Sequence, residues 1–167
     1  MGETIEIAIE AMRKDDLEQV LAIEQASFTM PWSRNLFLSE LRSRTVATLL
    51  VAMAHDTPGR DVVGYIVYWL VADEMHILNL ATAPAYRRKG IAKRLVLAAI
   101  RTAFDRGARL SFLEVRTSNA EAQKLYADLG FISSYTRQEY YDKPVEDAVV
   151  MKLGRRAMEE IVRGRSS

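Results

Sequence analysis

Apolar and polar residues alternate with period two over residues 4–10, where Ile5, Ile7 and Ile9 share one side, and that spacing predicts a strand. The period then lengthens. Leu17, Val20, Leu21 and Glu24 recur at helical spacing behind Asp15 and Glu18, a pair that reads as a capping box, so a helix is predicted to about residue 28. Pro31, Trp32 and Ser33 interrupt it, and a second helix follows over residues 34–44. Two β-rich runs, 46–54 and 62–71, flank a loop at 55–61 that reads as a hairpin tip, and 75–83 is a third strand. A long helix opens near Gly90, carries Ile91, Leu95, Ala99 and Ala103 on one stripe, and stops at Gly107. Residues 110–115 form a strand with Phe112 and Glu114 facing one way and Leu113 and Val115 the other. Ser118 and Glu121 read as a second capping box, for a helix that stops at Gly130. Residues 131–139 and 148–153 close the pattern as strands around a loop holding Lys143 and Pro144. The element order β-α-α-β-β-β-α-β-α-β-β defines a mixed α/β fold class, with one domain over 1–153 and a short basic helix or frayed tail over 154–167.

Composition narrows the function classes. The chain has 167 residues, 49% of them hydrophobic and 27% charged. A chain of this size buries about 70% of its unfolded surface, enough for one core. Zero cysteines exclude a disulfide framework, a thiolate nucleophile and a cysteine zinc site, and the two histidines, His55 and His76, stand too far apart in sequence to suggest a metal site. The longest uncharged stretches, 45–54 and 62–72, are too short to cross a bilayer, and Met-Gly-Glu-Thr lacks the basic start and apolar run of a secretory signal. The expectation is a cytoplasmic protein that uses no metal.

The net charge of +1 conceals an uneven distribution. Residues 84–110 hold eight basic side chains (Arg87, Arg88, Lys89, Lys93, Arg94, Arg101, Arg106, Arg109) against Asp105 alone, while the rest of the chain holds 15 basic and 21 acidic residues. Such a concentration suits a small anionic ligand; a nucleic acid needs a basic stripe spread over several elements. A solvated helix face is the other reading of the same charges.

Residues 87–92, Arg-Arg-Lys-Gly-Ile-Ala, lie between a strand and the long helix. A helix start offers unpaired N–H groups and partial positive charge to a phosphate, Gly90 lets backbone approach a ligand, and Ala92 is small. The loop matches neither a P-loop nor a dinucleotide fingerprint. Glu114 interrupts an apolar strand, where a carboxylate is costly to bury without a task; it reads as a base, as a solvent-facing residue, or as an ion-pair partner of Arg116. Tyr126, four residues after Ala122 on the same helix face, reads as a packed core tyrosine or as a proton donor. Asn119 is placed to cap that helix. His76, in an apolar strand, reads as a core histidine.

Several spaced blocks carry a resemblance: Pro31-Trp32-Ser33, Asn79-Leu80-Ala81, the 87–92 loop, Leu113-Glu114-Val115-Arg116-Thr117-Ser118-Asn119, Leu125-Tyr126-x-x-Leu129-Gly130-Phe131, and Arg137-x-x-Tyr140-Tyr141 followed by Glu146-Asp147-Ala148. In this order they resemble the GNAT superfamily of acyl-CoA-dependent N-acetyltransferases, and within it the enzymes that modify the N-terminal alanine of a small-subunit ribosomal protein. The resemblance implies a mixed, mostly antiparallel sheet of about seven strands flanked by about four helices, with a splayed acyl-CoA cleft. It implies acetyl-CoA as co-substrate, with Glu114 as base and Tyr126 as acid. Coenzyme contacts would come from Arg87, Arg88, Lys89, Gly90, Ile91, Ala92, Lys93, Asn119, Tyr126 and the backbone of Leu80, Ala81 and Thr82. Met30, Pro31, Trp32, Tyr140 and Tyr141 would receive a protein N-terminus; for Trp32 a mini-core between the helix pair and the sheet is an equal reading. Thr82 stands where relatives commonly place valine, and Ala92 where many have glycine; neither change removes a backbone donor. The implied partner is a ribosomal protein, with no nucleic acid or membrane, and the chain itself is expected to be a monomer or weak dimer. The alternatives are a GNAT acting on lysines or small amines, and a non-catalytic acyl-CoA-binding module, which should lose Glu114 or Tyr126.

Overall fold

The computed structural model of the chain describes residues 4–55 and 58–164; the tip of the expected hairpin loop, residues 56–57, and Arg165 in the basic tail lie outside the described residues. The elements are β1 (Ile7–Ala11), α1 (Leu17–Ser27), α2 (Arg34–Arg42), β2 (Ala47–Ala54), β3 (Asp61–Val71), β4 (Glu74–Thr82), α3 (Ile91–Asp105), β5 (Leu110–Arg116), α4 (Ala120–Asp128), β6 (Ile132–Asp142), β7 (Val145–Leu153) and α5 (Arg155–Val162). Their order is the one the periodicity predicts. Seven strands form a mixed, mostly antiparallel sheet in the order β1-β2-β3-β4-β5-β7-β6.

The chain divides into two compact units, Met1–Tyr68 with Asn79–Ala99, and Trp69–Leu78 with Ile100–Ser167. In the first, β1 pairs antiparallel with β2, from Ile7 opposite Ala54 to Ala11 opposite Leu50. Helix α1 buries Leu17, Val20, Ile23 and Glu24, a stripe at helical spacing. Phe37 of α2 is fully buried, edge-on to Tyr65 of β3 with ring centroids 5.8 Å apart. Helix α2 starts where Ser33 accepts a hydrogen bond from the Leu36 N–H. The start of α1 differs from expectation. Asp16, not Asp15, anchors it, accepting from the Arg13 N–H at 2.8 Å and from the Arg60 guanidinium at 2.6 and 2.9 Å. Burial works to raise the Asp16 pKa, but these hydrogen bonds outweigh it and hold the carboxyl below its usual range.

In the second unit β4 and β5 run parallel, with Glu74 opposite Leu110 and Ile77 opposite Leu113, while β5 and β6 each pair antiparallel with β7. Leu113 and Val115 point into the core as the alternation predicts, opposite Met151 and Val149 of β7, while Val150 lies opposite Glu114. Residues 155–162 form helix α5, with Met158 and Ile161 buried. Helix α4 corrects the second capping assignment. Asn119 is its cap, accepting from the Ala122 N–H at 3.0 Å, whereas Ser118 is turned away to donate to Glu146.

Candidate active site

Each unit gathers a set of the residues singled out in the sequence. In the first, strand β4 ends at Thr82 and a single 3₁₀ turn, Pro84–Tyr86, leads to the turn before α3. Arg88 and Gly90 both adopt left-handed backbone conformations, with φ of 61° and 75°. Alternation of left- and right-handed residues swings successive N–H groups to one side, a geometry that binds anions. Arg87 braces the turn, donating to the Thr82 carbonyl at 3.3 Å and to Ser27 at 3.2 Å. Arg88, Lys89 and Gly90 are exposed, and Ile91 is buried as the first core residue of α3.

The basic run does not act as one patch. Arg94 reaches away to the Ile7 carbonyl at 2.7 Å, tying α3 to β1. Arg109 lies over the Phe104 ring at 4.1 Å and donates to the Phe104 and Ala108 carbonyls, binding the last turn of the helix. Arginine carries both a charge and a set of directional donors, so a count of charges overstated the free positive field.

Gly64 of β3 was not marked by the sequence reading. A Cβ there would meet the Ala81 carbonyl oxygen at 3.1 Å and side-chain carbons of Ile91 and Leu95 at 3.2 Å each. Its absence lets the first turns of α3 sit against β3 and the end of β4. Glu24 is a second residue whose role appears only in three dimensions. Its carboxylate, 1% exposed, accepts from the Trp32 N–H at 3.0 Å, from the Asn79 amide at 2.8 Å and from the Tyr65 hydroxyl. Burial and this carboxylate together push the Tyr65 pKa up, so the phenol stays protonated. The hub ties the loop containing Trp32 to the stretch of β4 just before Leu80, Ala81 and Thr82. The Trp32 ring itself packs on Phe37 at 5.2 Å, and Met30 and Pro31 beside it are exposed. A carboxylate on an apolar helix stripe and an asparagine inside an apolar strand were the available signals.

In the second unit Glu114 projects from the face of β5 opposite the core, its side chain 10% exposed. Its Oε2 lies 2.7 Å from Nε2 of His76. His76 is therefore not a core histidine: it stands on the half-exposed face of β4 with its side chain 37% exposed. The expected Arg116 partner is also different. Arg116 donates to the Lys143 and Pro144 carbonyls and to Glu146, and stacks over the Tyr141 ring at 4.2 Å.

Strand β6 bends over this face. Between Arg137 and Tyr141 it advances four residues while β7, from Ala148 to Glu146, advances two. Glu139 takes a left-handed conformation there, φ 50°, and its N–H donates to Asp147 at 2.8 Å. Such a bulge re-aims side chains that strict alternation would send to opposite faces. Tyr140 and Tyr141 meet edge-on, 5.1 Å between centroids. Both are close enough to Glu114 to feel its charge: burial first and that charge after it raise the Tyr140 pKa, while burial, Tyr140 and Glu114 push Tyr141 up to about 12. Tyr126 is 7% exposed, edge-on to Phe131, and its pKa is raised by burial and by nearby Tyr141. A phenol so placed holds its proton at neutral pH.

The turn from β5 to α4 is organised by Glu146, which accepts from the Thr117 and Ser118 hydroxyls and the Ser118 N–H. The Ser118 hydroxyl and N–H lead the causes that hold its pKa at about 2. This clasp sets where Asn119 and α4 begin.

A model of the acetyltransferase (GNAT) family matches residues 17–131. The chain belongs to that family. It is 33% identical over 147 residues to the ribosomal protein bS18-alanine N-acetyltransferase of Escherichia coli strain K12, covering 87% of this chain and 95% of the relative. With the enzyme of that name from Haemophilus ducreyi it shares 33% identity over 148 residues, covering 87% and 98%. The crystal structure of the ribosomal-protein-S18-alanine N-acetyltransferase from Escherichia coli superimposes with a TM-score of 0.80 at 30% identity, covering 90% of this chain and 94% of that one. The GNAT chain is thus an acetyl-CoA-dependent N-acetyltransferase. Among its described residues no group of three or more His, Asp or Glu side chains is placed to hold a metal, and no described helix is long and apolar enough to cross a membrane.

Proposed function

We propose that this acetyltransferase moves acetyl from acetyl-CoA to the α-amine of a protein N-terminus, and that its substrate is the N-terminal alanine of the small-subunit ribosomal protein bS18. The match along nearly the full length of both chains to enzymes of that name carries this reading.

The chemistry of the amine fits the groups available. An α-amine with pKa of about 7.8 is about 14% neutral at pH 7, against about 0.04% for a lysine amine at about 10.4. One modest base then suffices, and Glu114 fills that role: largely shielded from water, it accepts a proton from the amine. Tyr126, kept protonated by burial, supplies the proton for the departing thiolate. The coenzyme's diphosphate is bound by the turn formed by Arg87, Arg88, Lys89, Gly90, Ile91, Ala92 and Lys93. The backbone of Leu80, Ala81 and Thr82 supports the pantetheine arm and polarises the thioester carbonyl, and Asn119 adds a coenzyme contact. Met30, Pro31, Trp32, Tyr140 and Tyr141 receive the peptide, and their bulk suits a small first residue. The enzyme works in the cytoplasm as a monomer or weak dimer without binding nucleic acid.

Incubation with acetyl-CoA and peptides differing in their first residues, read by mass, tests the proposal. The peptide bearing the bS18 N-terminus is expected to gain 42 mass units (one acetyl group, about 42) at its α-amine faster than any other. Preferential modification of an internal lysine overturns it. Replacing both Arg88 and Lys89 with alanine is expected to weaken acetyl-CoA binding by about 10–100-fold and flatten its salt dependence. Calorimetric titration at two ionic strengths checks this, and unchanged affinity removes the turn from the coenzyme site.

A further inference from the structure

We propose that His76 is a positioning residue that holds Glu114 in the orientation from which it takes the amine proton; this rests on the reading of Glu114 as the base. The observation is the 2.7 Å approach of His76 Nε2 to Glu114 Oε2. An ionised carboxylate has no donor, so the imidazole supplies the N–H and its tautomer is set with the proton on Nε2. The backbone explains how the two meet. His76 lies opposite Phe112 in the parallel β4/β5 pairing, and Glu114 is the next residue on the Phe112 face. The ring thus reaches diagonally to one carboxylate oxygen and leaves Oε1 for the substrate.

Stability does not explain the contact. The His76 side chain is 37% exposed and that of Glu114 10%, and a pair open to solvent on one side contributes modestly to folding. Orientation is where it matters, because a base displaced by about 1 Å costs on the order of 10²-fold in rate. Among the described residues, Arg137, Tyr140 and Tyr141 of β6 also feel the charge of Glu114. Arg137 is engaged with Tyr135, its Nη2 donating to that hydroxyl at 3.4 Å.

The test compares His76→Phe, His76→Gln and Glu114→Gln in steady-state acetylation of an alanine-first peptide, with melting temperature as the folding control. His76→Phe is expected to lower kcat by about 10–100-fold with KM for acetyl-CoA unchanged. His76→Gln, whose amide N–H extends about as far as Nε2, is expected to recover to within about threefold of the native kcat. In the Glu114→Gln background His76→Phe should add almost nothing, because the group it orients is gone. Native kcat in His76→Phe overturns the proposal, as does a glutamine variant as slow as the phenylalanine one, or fully additive losses in the double variant. Native kcat in Glu114→Gln instead overturns the reading of Glu114 as the base, a result distinguishable from the others.

Discussion

Glu114→Gln is expected to slow acetyl transfer by about 10²–10⁴ and to leave acetyl-CoA affinity unchanged. The amide matches the carboxylate in size and keeps a carbonyl oxygen for the His76 N–H, so the site retains its shape and loses its capacity to take up a proton. The size of the deficit should depend on pH. Between pH 7 and pH 9 the α-amine goes from about 14% to about 94% neutral without assistance. A variant whose fault is a missing base therefore falls furthest behind at neutral pH and closes part of the gap as the amine loses its proton to water unaided. Initial rates across that range, beside coenzyme titration, check both halves of the expectation. A deficit that stays constant with pH would assign Glu114 to binding or geometry, and an unaltered rate would remove it from the chemistry.

Glu24→Leu is expected to cost about 4 kcal/mol of folding free energy, a large share of the 5–15 kcal/mol that holds an ordinary domain together. The substitution strands three donors that converge on the carboxylate: the Trp32 N–H, the Tyr65 hydroxyl and the Asn79 amide. Each buried donor without an acceptor costs about 1–3 kcal/mol, and the buried leucine returns about 2 kcal/mol of hydrophobic gain, so the polar loss wins. Glu24→Gln should fall between, since its carbonyl keeps one acceptor while its NH₂ faces donors. Urea unfolding with an unchanged m-value would measure the difference. A leucine variant as stable as the native chain would mean that these donors find other acceptors and that Glu24 is dispensable to the fold. For a folded Glu24→Gln chain the KM for peptide is expected to rise more than kcat falls, because the hub reaches the Trp32 loop directly.

Glu24 and His76 show why part of the site was not legible in the residue order. Glu24 sits on an apolar helix stripe, and the sequence marks that as an anomaly without naming partners 41 and 55 positions away. His76 and Glu114 are each polar interruptions of an apolar strand; their pairing depends on a parallel register that no local pattern encodes. The adjacent Tyr140 and Tyr141 are drawn toward the Glu114 face by the β6 bulge, and a bulge of two extra residues leaves no periodicity to read. Ser118 misled the capping assignment for a related reason. Its hydroxyl is equally suited to capping α4 or to Glu146, and distant Glu146 took it. By contrast, Ile91, Leu95, Ala99 and Ala103 are all buried as their spacing requires, and Leu113 and Val115 face the core as predicted.

By itself the sequence determined the order and type of the elements, the buried stripe of α3, the two faces of β5 and the family. Hydrophobic period and cap chemistry act over a few residues, and the family blocks keep their spacing, so both survive in a linear reading. Tertiary structure alone decided which acceptor each buried donor meets, which arginines are committed to carbonyls, and which imidazole reaches the carboxylate of Glu114. Those outcomes depend on strand register, a bulge and close packing at Gly64, which bring together residues that are tens of positions apart and compete for the same partners.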